Sequence, residues 1–381
     1  MNPPSESRPT WSEIDLDALA FNLSSIRRFI GGSAKTMAVV KADAYGHGAI
    51  ECSKRLEAEG VDWLAVALPE EGVELRDSGI ETPILSFGNW SGQEALMLAR
   101  RLTPVAYQID TLARLDAAAA EQQTVATVHI KIDTGMGRIG IRAADAAEFA
   151  GELAGFKHLQ VEGLMTHFAS ADRIDSDATK RQISQFADAV AAFHAAGIRP
   201  KLLDLANSPG AIVYPESRST MVRIGGLLYG LGGDVLPKGF PGPELRPVMS
   251  VHTRISFIKQ VPAGTPIGYG GTFVTGRESL IATIPIGYHD GLPRALSNIG
   301  HVLVEGVRAP IVGRVSMDWT TVDVTDVPGV TVGTPVVIIG ISGQESMKAE
   351  DIAAATGTIS YEITCGMNAR VKKVYNGRAL R

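Results

Sequence analysis

The chain has 381 residues, of which 45% are hydrophobic and 20% charged, so it can bury a full core, and its length suggests two domains. Its 36 basic and 41 acidic residues give a net charge of −5 and are spread along the chain without a basic block, which argues against nucleic-acid and membrane partners. Its two cysteines, Cys52 and Cys365, are too few for a disulfide framework or a zinc site, and no metal site is expected.

The chain opens with a polar, proline-rich segment, Met1–Thr10, where a secretory signal would be apolar. No apolar run further along approaches the roughly 18 to 20 residues that a membrane-spanning helix needs. Both observations favour a cytoplasmic protein.

Short apolar runs alternate with helical patterns up to about residue 230, which is typical of repeated β-α units around a parallel sheet. There are eight such runs, the number that a closed (β/α)8 barrel of the TIM type needs. The clearest helix spans Asp177 to Gly197, with an apolar stripe on one face and Gly197 placed to end it. The eight predicted strands are Met37–Val40, Trp63–Leu68, Ile84–Phe87, Pro104–Tyr107, Val125–Ile132, Leu159–Met165, Leu202–Leu205 and Met221–Ile224.

From about residue 246 the pattern changes to that of a mainly β domain. A hairpin turn is predicted at Glu305-Gly306, and the turn-rich segment 236–243 is predicted to be a linker. The fold class is therefore α/β, with a (β/α)8 barrel at 1–245 and a mainly β domain at 246–381. Apolar side chains alternate with polar ones at Val251, Thr253, Ile255 and Phe257, and further strands are predicted at Leu280–Ile286, Val302–Val304 and Val336–Ile339.

The segment from Val39 to Gly48 places Lys41 at the end of the first barrel strand, just before a glycine-rich turn. Barrel enzymes carry their active groups at that end of the strands. Desolvation there, or a neighbouring cation, would lower the pKa of Lys41 until its neutral amine can form a Schiff base. For Lys41 taken alone, a solvated surface lysine is the commoner alternative.

The loops after the seventh and eighth predicted strands offer groups that suit a phosphate. Ser208 supplies a hydroxyl after the seventh strand, and Gly225 and Gly226 supply backbone N–H groups after the eighth. These two loops commonly bind phosphate in barrel enzymes. Glycines that only permit a tight turn are the alternative for either loop alone, but the combination with Lys41 favours a catalytic site.

On the segment Val39–Gly48 the chain resembles the bacterial alanine racemase family, in which this segment carries the cofactor lysine. The similarity extends from Trp11–Leu16 to the last predicted strands and so covers nearly the whole chain. The resemblance implies a barrel that binds pyridoxal 5'-phosphate and a C-terminal β domain. It also implies a homodimer whose active sites each borrow residues from the other subunit.

The resemblance assigns the cofactor-binding residues position by position. Lys41 would hold pyridoxal phosphate, Arg223 would face its pyridine nitrogen, and His167 would support Arg223. Because a guanidinium stays protonated, that nitrogen could only accept a hydrogen bond, which weakens the ring as an electron sink and disfavours transamination. From the residues alone, a surface ion pair is the alternative for Arg223 and a core position for His167. The phosphate group and its surroundings would be contacted by Tyr45, Asn207, Ser208, Gly225, Gly226 and Tyr361.

The resemblance also assigns the residues that bind and deprotonate the substrate. Arg138 would bind the cofactor phenolate and the substrate carboxylate, and Lys131, which the family often carries as a carbamate, would steady Arg138. Tyr269 would be the second base, although a half-buried packing role stays open for it on the residues alone. The backbone N–H of Met317 would hold the substrate carboxylate, with Asp318 beside it. Two departures from the family are Gly226 and Ser316, which replace a bulkier residue and a common cysteine.

The predicted function is the interconversion of L- and D-alanine by two-base proton exchange on a pyridoxal phosphate aldimine, which would supply D-alanine for peptidoglycan. Lys41 would serve the D-face of the small amino-acid substrate, and Tyr269 of the partner subunit the L-face. The nearest rival is a decarboxylase on the same architecture, which would place a glutamate where Arg223 stands. The second rival is a non-catalytic cofactor-holding protein. Proteins of that class resemble only the barrel and lack the β domain that carries Tyr269 and Met317.

Overall fold

In the computed structural model, which describes residues 8–377, a strand and a helix precede the barrel. The strand is β1 (Thr10–Asp15) and the helix is Leu16–Ile30. Asp15 caps the helix by accepting a hydrogen bond from the backbone N of Ala18 at 2.8 Å. Gly31 ends it in the left-handed conformation, which a residue without a β-carbon adopts easily.

A closed parallel barrel follows, which confirms the predicted architecture. Neighbouring strands pair in the order β5-β4-β3-β2-β10-β9-β8-β6, and pairing of β5 with β6 closes the ring, while the short β7 extends the sheet beside β6. Each predicted run overlaps one of these strands, with ends displaced by a residue or two. The strands are β2 (Lys35–Val39), β3 (Trp63–Val66), β4 (Ile84–Ser86), β5 (Leu102–Ala106), β6 (Ala126–Asp133), β7 (Ile141–Arg142), β8 (Leu159–Met165), β9 (Leu202–Asp204) and β10 (Met221–Ile224).

Helices lie between the barrel strands, as β-α units require. The predicted helix at Asp177 is present and ends at Ala195, two residues before the left-handed Gly197. Ser176 caps it by accepting a hydrogen bond from the backbone N of Thr179. The helices of this half are Ala49–Ala58, Pro69–Asp77, Glu94–Ala99, Ile109–Glu121, Ala146–Leu153, Asp177–Ala195 and Ser208–Val213.

The second half is mainly β, as predicted, and adds the helices Ala349–Thr356 and Ser360–Gly366. The turn at Glu305 and Gly306 joins a hairpin, and both residues have positive φ. The predicted inward alternation holds for Val251 and Thr253 but not for Phe257, which is exposed because the strand breaks after Arg254. The strands are β11 (Met249–Arg254), β12 (Phe257–Val261), β13 (Pro266–Ile267), β14 (Phe273–Val274), β15 (Ser279–Ile284), β16 (His301–Val304), β17 (Val307–Pro310), β18 (Thr320–Asp323), β19 (Pro335–Ser342), β20 (Glu345–Met347) and β21 (Lys372–Asn376).

The N-terminal strand belongs to the second half and not to the barrel. β1 pairs antiparallel with β11 and parallel with β21, in a sheet of order β17-β16-β19-β11-β1-β21. The predicted division at 245 and 246 had placed this strand with the barrel, and sequence distance alone could not reveal a partner more than two hundred residues away. The ends of the two predicted domains, 1–7 and 378–381, lie outside the described residues.

One continuous apolar core runs through both halves and contains residues as distant along the chain as Ile14, Leu64 and Val336. A smaller cluster in the second half comprises Val261, Ile267, Ile281 and Val312. Across residues 8–377 no helix combines the length and the apolar character that crossing a bilayer requires. The barrel strands and the second half therefore share one packed apolar core.

Candidate active site

Lys41 follows β2 and begins a short left-handed turn. The residues from Ala42 to Tyr45 have φ values between 53° and 55°. For residues with a β-carbon, this conformation costs about 1–2 kcal/mol each. Strain of this kind persists where the surrounding structure enforces it, and it is concentrated at functional sites.

Side chains from neighbouring elements hold this turn in place. The carboxylate of Glu71 accepts a hydrogen bond from the backbone N of Ala42 at 2.7 Å. Asp43 accepts one from the backbone N of Ala49 at 2.7 Å and forms an ion pair with Lys373 at 2.9 Å. These contacts compensate the unfavourable backbone and fix where Lys41 leaves the strand.

The surroundings of Lys41 favour its neutral form. Burial lowers the pKa of its ammonium, and the positive charge of Arg138 lowers it further, while Glu71 and Cys365 act in the opposite direction. A lysine with a lowered pKa has more of its nucleophilic free amine at neutral pH. Desolvation was the cause expected from the position of Lys41 at the end of a buried strand.

Three hydroxyl groups converge on Gly225 and Gly226 at the end of β10. The N–H of Gly225 donates to Oγ of Ser208 at 2.9 Å, and the hydroxyl of Tyr361 lies beside the backbone of Gly226. A β-carbon on Gly225 would lie 2.6 Å from Oη of Tyr45, and one on Gly226 would lie 2.3 Å from Oη of Tyr361. Burial raises the pKa of both tyrosines, so their hydroxyls stay protonated and can donate.

Asn207 prepares the position of Ser208. Its Oδ1 accepts a hydrogen bond from the backbone N of Gly210 at 3.1 Å and so caps the short helix Ser208–Val213. The side chain is used to shape the turn that presents the serine hydroxyl.

Arg223 points into the barrel and is buried, with 3% of its side chain exposed. Its Nη2 donates to the carbonyl O of Thr166 at 2.8 Å and to Nδ1 of His167 at 3.2 Å. Burial, and after it the charge of Arg223, lowers the pKa of His167 to about 2, so the imidazole is neutral and its Nδ1 can accept. Nη1 forms an ion pair with the fully buried carboxylate of Asp204.

Arg138 and Lys131 lie on the loop and strand of β6. Asp133 folds the loop by accepting hydrogen bonds from the backbone N of Gly135 and of Met136, both at 2.9 Å, and Arg138 follows as an exposed residue. Lys131 is buried inside the barrel, where burial and then the charge of Arg223 lower its pKa well below the usual value. Of these two predicted partners, Arg138 is therefore exposed to solvent, whereas Lys131 is enclosed by the barrel.

Of the predicted site residues in the second half, Tyr361 belongs to this cluster, whereas Tyr269, Met317 and Asp318 have no hydrogen bond or ion pair to it within residues 8–377. Tyr269 is 71% exposed and Met317 50% exposed. Within residues 8–377 no hydrogen bond, ion pair or electrostatic interaction joins Tyr269 to Lys41. Asp318 accepts a hydrogen bond from Nη2 of Arg370 at 2.6 Å. A single chain thus brings together the barrel residues but not Lys41 and Tyr269.

Comparison with known proteins places the chain in a family. Residues 14–232 match the family described as alanine racemase, N-terminal domain, and residues 248–375 match alanine racemase, C-terminal domain. The chain belongs to the alanine racemase family. Its membership makes it an amino-acid racemase that depends on pyridoxal phosphate.

Similar proteins match along almost the whole chain. The alanine racemase of Halothermothrix orenii is 44% identical over 375 residues, which is 98% of each chain. The crystal structure of alanine racemase from Streptomyces lavendulae has a TM-score of 0.92 at 34% identity and covers 99% of each chain. The alanine racemase of Bartonella henselae, solved with covalently bound pyridoxal phosphate, has a TM-score of 0.87 at 28% identity and covers 97% of this chain and 99% of that one.

The residues present fit pyridoxal phosphate. Hydroxyl and amide donors that meet around two adjacent glycines suit the oxygens of a phosphate group. Lys41 supplies an amine whose pKa is lowered, and Arg223 supplies a fixed donor on β10, the strand that pairs with β2. The bulk missing at Gly226, a departure from the family noted in the sequence, is filled by the ring of Tyr361.

Sequence analysis missed three residues that build this site. Glu71 holds the turn of Lys41, and Asp204 pairs with Arg223. Gln182 donates to the carbonyl O of His167 at 2.9 Å from the neighbouring helix. Only Asp204 carried a signal, because a charged residue inside an apolar strand must be paired.

Proposed function

We propose that the protein interconverts L- and D-alanine by two-base proton exchange, with one base from each subunit of a homodimer. The observation that carries this proposal is the convergence of Lys41, Arg223 and the hydroxyl cluster of Tyr45, Ser208 and Tyr361 at one end of the barrel. Pyridoxal phosphate, when bound, supplies an aldehyde that joins amines and a ring that delocalises the charge left by a departing α-proton.

The barrel residues bind and orient the reacting groups. The hydroxyls of Tyr45, Ser208 and Tyr361 hold the phosphate together with the N–H groups of Gly225 and Gly226, the first of which it shares with Oγ of Ser208. Asn207 shapes their turn. Arg223, steadied by His167, donates to the pyridine nitrogen and keeps it unprotonated, because a guanidinium does not give up its proton. Arg138 binds the substrate carboxylate, and the buried Lys131 steadies Arg138.

The two bases act on opposite faces of the substrate. Nζ of Lys41, once free, takes the α-proton from the D-face, and Oη of Tyr269 of the partner subunit serves the L-face. The exposure of Tyr269 and Met317 supports this division, since both side chains are open to a second subunit. Met317 holds the substrate carboxylate by its backbone N–H, and Asp318 with Arg370 fixes that segment.

The proposed product, D-alanine, indicates how the cell would use the reaction. A protein of this kind working in the cytoplasm would supply D-alanine for peptidoglycan. A decarboxylase on the same architecture is disfavoured, because it would place a carboxylate against the pyridine nitrogen where Arg223 stands. A non-catalytic cofactor holder would not need the second half that carries Tyr269 and Met317.

The test loads the purified protein with pyridoxal phosphate, records its visible absorption, and reduces it with borohydride before peptide mapping. We expect a visible band that disappears on reduction, pyridoxyl on Lys41, and racemisation of alanine in a panel of L-amino acids. Lys238→Ala, at an exposed lysine, is the matched control for Lys41→Ala and should keep both band and activity. Pyridoxyl on another lysine, or a loaded protein that isomerises none of the amino acids, would contradict the proposal.

A further inference from the structure

Arg223 is held by a carboxylate that the proposed mechanism does not use. Asp204 ends β9, the parallel neighbour of β10, which carries Arg223. Its side chain has no solvent exposure, and its Oδ1 forms an ion pair with Nη1 of Arg223. Its Oδ2 accepts no hydrogen bond from any residue between 8 and 377. The carboxylate of Asp204 therefore forms its ion pair with Arg223.

The contacts of Arg223 determine where its remaining donor points. Nη1 also donates to the carbonyl O of Asp204 at 3.2 Å, and Nη2 donates to Thr166 and His167. No hydrogen bond leaves from Nε toward any of the described residues. Because the guanidinium is planar and its donors are rigidly arranged, holding both Nη atoms fixes the direction of the Nε–H bond.

The carbonyl and imidazole acceptors cannot replace the carboxylate. They accept hydrogen bonds but carry no charge, and a buried guanidinium without a counter-ion is strongly disfavoured. Lys131 lies buried in the same barrel interior, where its interaction with Asp204 is attractive and that with Arg223 is repulsive. Without Asp204, Arg223 would lose its counter-ion, and the neutral acceptors alone would not hold both Nη atoms in place.

We propose that Asp204 is the positioning residue for Arg223: by binding Nη1 it turns the guanidinium so that Nε–H donates to the pyridine nitrogen of the cofactor. The inference rests on the proposed function, which gives Arg223 that contact. The inference adds Asp204 as the residue that fixes the direction of the contact between Arg223 and the pyridine nitrogen.

The test measures binding and not turnover. The protein is stripped of cofactor and titrated with pyridoxal phosphate and with the analogue in which the ring nitrogen is replaced by CH. The ratio of the two dissociation constants reports the bond to the ring nitrogen and does not depend on the fraction of folded protein. For a hydrogen bond to a charged donor, we expect the wild type to favour pyridoxal phosphate by about tenfold or more.

Asp204→Asn keeps the shape but removes the charge, and we expect its ratio to fall to near one, as in Arg223→Gln. Asp290→Asn is the matched control, since Asp290 is also fully buried and paired with arginines but lies in the second half. It should keep the wild-type ratio. A wild-type ratio in Asp204→Asn would overturn the inference and leave the proposed function standing, whereas a ratio near one in the wild type would overturn the contact of Arg223 itself.

A double variant separates positioning from charge balance and guards against a failure to fold. Asp204→Asn combined with Lys131→Met removes the buried amine that interacts with Asp204 along with the buried anion. If Asp204 positions Arg223, the ratio stays near one although folding improves. Recovery of the wild-type ratio would mean that Asp204 only balances charge, and the inference would be wrong.

Discussion

The two halves of the candidate site differ in how complete they are within one chain. At the barrel mouth, Arg223 is 3% exposed, and the N–H of Gly225 already donates to Oγ of Ser208. In the second half, Tyr269 is 71% exposed. The difference is that the barrel half is already built within one chain, while the second half leaves exposed the side chains that the proposed homodimer would cover.

The exposed half is nevertheless rigid in its backbone. The fully buried Asp290 accepts a hydrogen bond from the backbone N of Gly287 at 2.9 Å and pairs with Arg8 at 2.7 Å. The backbone N of His289 donates to the carbonyl O of Met317 at 3.1 Å. The side chains of this half are therefore exposed although hydrogen bonds and ion pairs hold the loops that carry them.

The strongest test of whether Lys41 and Tyr269 come from different subunits is to mix two inactive variants, Lys41→Ala and Tyr269→Phe, and let their subunits exchange. If sites are shared, one site of each mixed dimer inherits both lesions and the other neither. Random pairing then restores activity to about a quarter of the wild-type value per site. The measurement is racemase activity after exchange.

Sites built within one chain would each keep one lesion, so activity would stay absent. Subunit exchange must be verified separately, for example with two distinguishable tags. A mixture of Lys41→Ala with itself carrying the other tag is the control and should remain inactive.

Acid should destabilise the protein through the buried histidines of the barrel. Burial lowers the pKa of His47 to about 4 and that of His129 to about 3, and burial with the charge of Arg223 lowers that of His167 to about 2. These groups bind protons near pH 6.5 when unfolded, so stability is present above that pH and is lost as pH falls below it. Going from pH 7.5 to 5.5 should remove about 4 kcal/mol from the free energy of unfolding.

Denaturant unfolding at the two pH values measures this loss. His129→Leu is the matched variant, because neither ring nitrogen of His129 has a hydrogen-bond partner within residues 8–377. It should reduce the pH-dependent loss by about a third. A free energy of unfolding that does not change between the two pH values would contradict the neutral, buried state of these histidines.

Gly226→Ala tests the fit of the phosphate cradle. A β-carbon there would lie 2.2 Å from a ring carbon of Tyr361, so the tyrosine must move. Overpacking of this kind costs about 1–3 kcal/mol, which corresponds to about 5- to 150-fold in the dissociation constant of pyridoxal phosphate. Gly151→Ala is the control, since among residues 8–377 no atom outside its own stretch of helix lies within 4 Å of the added carbon, and it should bind the cofactor normally. Equal affinity in both variants would mean that Tyr361 does not contact the phosphate.

Ala42→Gly has the smallest expected effect and concerns the left-handed turn after Lys41. Because φ of Ala42 is 53°, glycine should relieve strain and stabilise the protein by roughly 1 kcal/mol. Ala113→Gly, at an exposed position within the helix Ile109–Glu121, should destabilise it by roughly 1 kcal/mol. Thermal unfolding of both variants compares the two signs, and a loss of stability in Ala42→Gly would show that the turn is not strained.

Much of the fold could be predicted from the sequence because its signals are local. The eight apolar runs, the helix that begins at Asp177 and the turn at Glu305 and Gly306 depend on residues close together in the chain. The placement of β1 beside β11 could not, because an amphipathic strand fits more than one sheet edge and only long-range pairing selects one. The conformation of Ala42 was also missed, since alanine has no preference for positive φ.

The sequence by itself determined the β-α barrel with its β domain, the position of Lys41 at a strand end, and the position of Gly225 and Gly226 after the last barrel strand. These follow from hydrophobic periodicity and from the residues that stand where each apolar run ends. Only the tertiary structure decided that Asp204 faces Arg223, that Glu71 holds the turn of Lys41, and that Tyr361 fills the space at Gly226. Each of these joins residues separated along the chain, and closure of the barrel and packing of the second half bring them into contact.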